Sequence, residues 1–343
     1  MVEHSRIKTI RVSRSLLLTL IFGALSLGIF LGAGVMGLLS PFQTDRSEEQ
    51  AGKEGTFRYI RTVAEPRNAA NKQTSEMKPF RYKLNDFIQK KLESGDAASI
   101  SIYFRDLNNG NWIGIGERET FSLKSMLKLP LMIAYFKWAE SNPLVLRKSL
   151  TFAPANTGVE PAVSIKTELT PGSSYTVNDL IYRMITNDDT EAYVLLYANI
   201  QKARLDRVFK DLNVEYDPHK DDDSLSLRGF ASFYRVLFNA SYLSEEMSEK
   251  ALRYLAKSSL KRGMAAAVPM NVEIAGKYGE RMIKVSEEGH DVVMSQLHEF
   301  GIVYHPHRPF LLGIMVRGED PASLEQTIRD ITRMVYEEVD SQS

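Results

Sequence analysis

Apolar and polar positions fall into three regimes along the chain. Leu16 to Leu39 is an unbroken uncharged run, Pro41 to about Pro79 is polar with few spaced apolar positions, and beyond Phe80 the apolar residues recur with helix and strand periods. Within that last part, Leu84, Phe87, Ile88 and Leu92 share one helical face over 81–92. Ala98 to Phe104 is rich in β-branched and aromatic residues. The turn Asp106-Leu-Asn-Asn-Gly110 and the return Trp112 to Ile115 complete a hairpin. A strongly apolar helix is predicted over Lys124 to Glu140, followed by helices at Thr176–Thr186, Glu191–Tyr197, Leu227–Ala240 and Ser248–Ser258. Strands return at Val272–Lys277, Val292–Gln296, Gly301–Tyr304 and Phe310–Val316, before a last helix over Pro321–Val339.

This order predicts an α/β fold, more closely an α+β sandwich. An antiparallel sheet is built from both ends of the domain and flanked by helices, with an all-helical insertion at about 141–265. The predicted organisation is a cytoplasmic basic tail over 1–15, a transmembrane segment over 16–39, a polar tether over 40–79 and a domain over 80–343. The run 16–39 suffices to cross a hydrocarbon core of about 30 Å as a helix. Arg6, Lys8, Arg11 and Arg14 precede it against the single acid Glu3, so the positive-inside rule places the domain outside the cytoplasm on a single-pass anchor. A cleaved signal peptide is the competing reading, supported by Gly32, Ala33 and Gly34, and it would make the domain secreted.

Composition narrows the chemistry. With 43 basic and 43 acidic side chains in 343 residues there is no basic excess, which argues against an extended nucleic-acid surface. The absence of cysteine removes disulfides, thiolate metal sites and cysteine nucleophiles. The six histidines are scattered. His305 and His307 sit in a proline-bounded turn with no third ligand indicated, so no metal and no cofactor is expected.

Ser-x-x-Lys occurs four times, at Ser5, Ser75, Ser125 and Ser258, and context separates them. Only Ser125 follows a hairpin and opens a strongly apolar helix. Residues three apart on a helix share a face, so the Lys128 amine lies within reach of the Ser125 hydroxyl. Burial at the root of an apolar helix lowers a lysine pKa and lets it act as a base. The bland alternative is an ordinary helix start with a snorkelling lysine.

The run Phe121-Ser-Leu-Lys-Ser-Met-Leu-Lys-Leu-Pro130 resembles the nucleophile segment of class A β-lactamases and related penicillin-recognising enzymes. That resemblance extends over about Phe80 to Val339 and implies two further motifs, Ser-Asp-Asn at a helix end and Lys-Thr-Gly on a strand. The first falls, without a gap, on Asp188-Asp189-Thr190, where only the central aspartate is kept. The serine relays a proton in that family. Asp188 could do so only if protonated, and Lys128 and Lys277 nearby would push its pKa down. Thr190 is too short to make the asparagine's contact to substrate. The second motif falls on Lys277-Tyr278-Gly279. Here the resemblance implies that Lys277 pairs with a substrate carboxylate, that Tyr278 adds bulk at the ligand, and that Gly279 lets the strand edge approach it.

The family's Glu-x-x-Leu-Asn loop has no counterpart between Tyr197 and Ser226, where Glu215 is a candidate deacylating base. Without that base an acyl-enzyme would linger. The resemblance therefore implies a membrane-held serine hydrolase that forms an acyl-enzyme on Ser125. Its substrate would be a β-lactam or a D-Ala-D-Ala-like peptidoglycan peptide, bound through Lys277, Tyr278, Gly279 and Thr190. The alternative is a catalytically impaired domain of the same fold that binds cell-wall peptide or a protein partner.

Overall fold

The computed structural model describes residues 57–61, 77–122, 124–153, 168–216, 224–258, 262–287 and 290–342. The predicted tail and transmembrane run lie outside them, as does most of the tether. Among the described residues no helix is long and apolar enough to cross a membrane.

Helix α1 (Lys78–Glu93) leads into strands β1 (Ser99–Asp106), β2 (Trp112–Ile115) and β3 (Thr120–Ser122). A 3-10 turn (Lys124–Leu127) and α2 (Lys128–Ser141) open a largely helical block. It continues through β4 (Ser149–Thr151), β5 (Ser174–Thr176), α3 (Val177–Thr186), α4 (Thr190–Asn199), α5 (Lys202–Asp211), β6 (Ser224–Ser226), α6 (Leu227–Phe238) and α7 (Glu245–Ala256). Strands β7 (Ile274–Glu287), β8 (His290–Val303) and β9 (Phe310–Gly318) and helix α8 (Pro321–Ser341) close the chain.

The main sheet has the order β2-β1-β9-β8-β7, every pair antiparallel, so strands from both ends of the domain meet at β1–β9. Strand alternation splits its side chains between two cores. Ile100, Ile102 and Phe104 face α1 and α8 with Leu84, Ile328 and Val335, whereas Tyr103, Phe300, Ile302 and Met315 face the helical block with Leu131, Phe230 and Tyr234. The result is three layers, in agreement with the predicted α+β sandwich.

Several boundaries differ from the sequence reading, each for a local reason. The two predicted strands around Val292–Gln296 and Gly301–Tyr304 are one, because pairing with β7 continues unbroken through Leu297, His298, Glu299 and Phe300. Two polar residues in that stretch, His298 and Glu299, are buried and hide its strand character. Strand β7 likewise runs ten residues past Lys277. Beyond Met282↔Ser295 the pairing of β8 with β9 has ended, and β7 and β8 continue as a two-stranded ribbon. Helix α5 is absent from the sequence reading. Its Leu205, Val208 and Phe209 are buried at helical spacing among charged residues. The small sheets β3–β6 and β4–β5, of three residues per strand, also escape the pattern.

The predicted tether contains an ordered stretch. Tyr59 and Ile60 are buried, and the backbone N–H groups of Arg58 and Tyr59 donate to the Glu249 carboxylate at 3.1 and 2.8 Å. Tyr304 donates its hydroxyl to the Tyr59 carbonyl, and the two rings meet edge-on at 5.3 Å. The compact unit thus starts at Phe57.

Gly313 shows how tightly the inner face is packed. It lies opposite Phe300, and a Cβ built there falls 2.2 Å from Phe300 Cε1. The Phe300 ring is itself held at 4.7 Å by Phe230. Gly313→Ala is therefore expected to destabilise the domain by about 1–3 kcal/mol, read as a fall of several degrees in Tm by calorimetry. An unchanged Tm would mean that the Phe300 ring has room to move.

Candidate active site

Four segments converge at the edge of the sheet. The 3-10 turn carrying Ser125 precedes α2 directly, and residues three apart in a 3-10 turn eclipse one another, which puts Ser125 and Lys128 on one side. The helix predicted from Lys124 thus begins as α helix only at Lys128. Ser125 is half-buried. Lys128 is 2% exposed, at the root of a helix whose Leu129, Leu131, Met132 and Ile133 are fully enclosed.

The turn rests against β7. Lys277 and Gly279 share the strand face that looks toward the helical block, and Lys277 is almost fully buried. A Cβ at Gly279 would lie 3.3 Å from Met126 Cγ and 3.4 Å from its Sδ. In the sequence reading this glycine makes room for a ligand. Its nearest neighbour is the turn that carries Ser125, so it permits close packing of that turn on the strand.

Tyr278 also departs from expectation. Alternation sends its ring to the opposite face from Lys277, into the core beneath α8, where it is 7% exposed and Arg262 lies 5.4 Å from the ring centre. Burial raises its phenol pKa well above the ordinary value. Bulk beside Lys277 is therefore not what the tyrosine supplies.

The fourth segment is the turn between α3 and α4. Asp189 caps α4 by accepting from the Ala192 N–H at 3.0 Å, and it also accepts from the Glu168 N–H at 3.2 Å. Thr190 opens the helix and is half-buried. Asp188, between the two helices, has a φ of +57°, a left-handed backbone that aspartate tolerates better than most residues. In this conformation both its carbonyl and its carboxylate face Lys128, whose Nζ donates to the carbonyl oxygen and to Oδ1, each at 2.7 Å. Lys277 Nζ donates to the same Oδ1. The Lys128 bonds thus run to Asp188, where the sequence reading directs them to the Ser125 hydroxyl.

The electrostatics follow from this triad. Burial, reinforced by the neighbouring Lys277 ammonium, lowers the Lys128 pKa to about 8 even though Asp188 opposes the shift. Burial alone would raise the Asp188 pKa, yet Lys277 and Lys128 outweigh it and hold the carboxyl below its ordinary range. Asp188 is consequently an anion at neutral pH. The proton-relay role requires the protonated acid, so this geometry does not support it.

One group escapes the sequence reading altogether. Glu168 fastens the Asp188 turn to the preceding loop, accepting from Arg183 at 3.2 Å and from the Asn187 amide at 3.1 Å. It sits in an irregular stretch that offers no periodic signal. Glu215, the candidate base, is exposed at the edge of the described residues. Beside the triad, a cavity of about 470 Å³ follows the outer edge of β7. Among its lining residues are Ser258, Pro269, Ile274, Lys277, Tyr278 and Glu299. Among the described residues no cluster of three or more histidine or acidic side chains could hold a metal ion.

Known proteins give this arrangement a context. No curated protein matches the chain. Among solved structures it is similar to PBP-A, with 22% identity and a TM-score of 0.63 over 76% of this chain and 96% of that one. A point mutant of PBP-A, solved as an acyl-enzyme complex with penicillin G, matches with 20% identity and the same TM-score over 77% and 97%. A class A beta-lactamase from Mycobacterium abscessus matches with 19% identity and a TM-score of 0.61 over 74% and 98%. At these identities the likeness is one of fold. The profile of the beta-lactamase enzyme family matches residues 82–339, three-quarters of the sequence, and the chain belongs to that family.

Proposed function

We propose that the protein is a serine acyl-transfer enzyme that forms an acyl-enzyme on Ser125 with a β-lactam or a D-Ala-D-Ala-like peptide. The observation that carries this reading is Lys128. It is a buried amine with a pKa near 8, one 3-10 turn after a half-buried serine hydroxyl and facing the strand that bears Lys277. At pH 7 about one-tenth of such an amine is neutral and able to accept a proton. The neutral amine takes the Ser125 proton as Oγ bonds to the substrate carbonyl carbon. The oxyanion is held by the Ser125 backbone N–H. When the amide C–N bond breaks, Lys128 returns that proton to the departing nitrogen. Water then hydrolyses the ester slowly, since no Glu-x-x-Leu-Asn segment supplies a dedicated base. The acyl-enzyme complex of PBP-A with penicillin G supports the substrate class by likeness of fold.

In this reading Lys277 contributes positive charge, Thr190 lies at the rim and the Gly279 backbone lines the edge. The enzyme stands outside the cytoplasm, held by the apolar segment 16–39 and its basic flank. Incubation with fluorescent penicillin followed by peptide mapping tests the proposal. An adduct on the peptide containing Ser125 is expected, and no adduct at any pH from 6 to 10 would leave the binding-only reading in its place.

A further inference from the structure

The two lysines and Asp188 differ in how they meet solvent. The lysine side chains are 2% and 0% exposed, whereas the Asp188 side chain keeps 37% of its surface open. An incoming group therefore meets the carboxylate before either ammonium. The positive φ of Asp188 fixes it there, with its carbonyl on Lys128 and one carboxylate oxygen shared between the two amines.

Counting charge sharpens the point. With both lysines protonated the trio carries a net charge of about +1. Lys128 must be neutral to take the serine proton, and the trio then holds one ammonium and one carboxylate. In the form competent for attack, the cluster has no net positive charge left to attract an anion.

We infer that Asp188 is a specificity-determining residue, an internal counter-ion in the place on Lys277 that a ligand carboxylate would fill. The site accordingly takes acyl donors that are uncharged at that end, such as esters or amides, in preference to free carboxylates. The inference narrows the acyl-transfer reading, within β-lactams and D-Ala-D-Ala-like peptides, to forms whose carboxylate is masked as an ester or amide, and it rests on that reading for its rate measurements.

Benzylpenicillin and its methyl ester are probes that differ only in this charge. Their rate constants for adduct formation on Ser125 would be measured with the wild-type protein and with Asp188→Asn. The wild type is expected to react at least as fast with the ester as with the acid. Asp188→Asn should shift the acid-to-ester ratio about tenfold or more toward the acid, as removal of a like charge at contact distance implies. A wild type that prefers the acid tenfold, a result needing no variant, overturns the inference, as does a ratio the substitution leaves unchanged.

A second measurement is independent of acylation. With the carboxylate that bonds both ammonium groups removed, Asp188→Asn should gain a sulfate-dependent rise in Tm, relative to sodium chloride at equal ionic strength, that the wild type lacks. Should neither probe react with Ser125 in either protein, the acyl-transfer reading fails and the sulfate comparison alone decides. Equal sulfate responses in the two proteins would then overturn the inference.

Discussion

Lys128→Ala should slow acylation of Ser125 about a thousandfold. In the proposed mechanism this buried amine accepts the serine proton, and a positioned general base contributes roughly 10²–10⁴ in rate. Lys128→Arg should not rescue the loss, because a guanidinium stays protonated throughout the accessible pH range. The wild-type rate should rise with pH and level off above about 8, as burial and Lys277 release the Lys128 proton. Asp188 opposes that release, so removing its charge lowers the Lys128 pKa further and moves the curve to lower pH. Rates of adduct formation from pH 5 to 10 check both statements. A flat profile, or Lys128→Ala acylating within tenfold of wild type, would remove Lys128 from the mechanism.

The second large effect concerns stability. Asp188→Asn takes from two enclosed ammonium groups the carboxylate they share, leaving Asp189 as the remaining anion near Lys128. Breaking a fully buried ion pair costs about 3–5 kcal/mol. Here roughly 2–3 kcal/mol is expected, because Asp188 is more than one-third open and solvent screens part of the interaction. For a domain of this size that is a fall in Tm of about 4–8 °C, measurable by calorimetry near pH 7. The pH dependence has a definite sign. A carboxyl held below its unfolded pKa lends its full stability above about pH 4 and loses it as pH falls through the folded value. Wild type and Asp188→Asn should therefore converge in stability as the solution is acidified below pH 4. Equal Tm values for the two proteins at pH 7 would show that the lysines find other partners.

Much of the architecture is legible in the residues. The apolar faces of Leu84–Ile88 and Leu324–Val335, the Asn109-Gly110 turn and the strand-helix-strand order suffice for the sandwich. They are local patterns set by burial on one side. What the pattern misses is decided by contacts distant in sequence. His298 and Glu299 look like a break in a strand, yet lie inside one because β7 and β9 pair on either side. At the site, spacing singles out Ser125 and Lys128 and the family resemblance adds Lys277; the structure brings the two lysines together on Asp188, and simple electrostatics gives the direction of the Asp188 pKa. Strand parity sends Tyr278 to the far face, and the neighbour of Gly279 is Met126. The first follows from strand alternation once Lys277 is set facing the site, but the second does not, because motif letters carry no information about what packs on a strand.

The Glu249 contact sets where a foldable fragment can begin. A protein shortened to start at Phe80 would keep every element of the sheet. It would also leave a nearly enclosed carboxylate facing the gap where the Arg58 and Tyr59 amides had been, and strip the cover from Tyr304. Expression of a folded domain therefore calls for an amino terminus upstream of Phe57, even though the stretch that matches the family starts some twenty-five residues later.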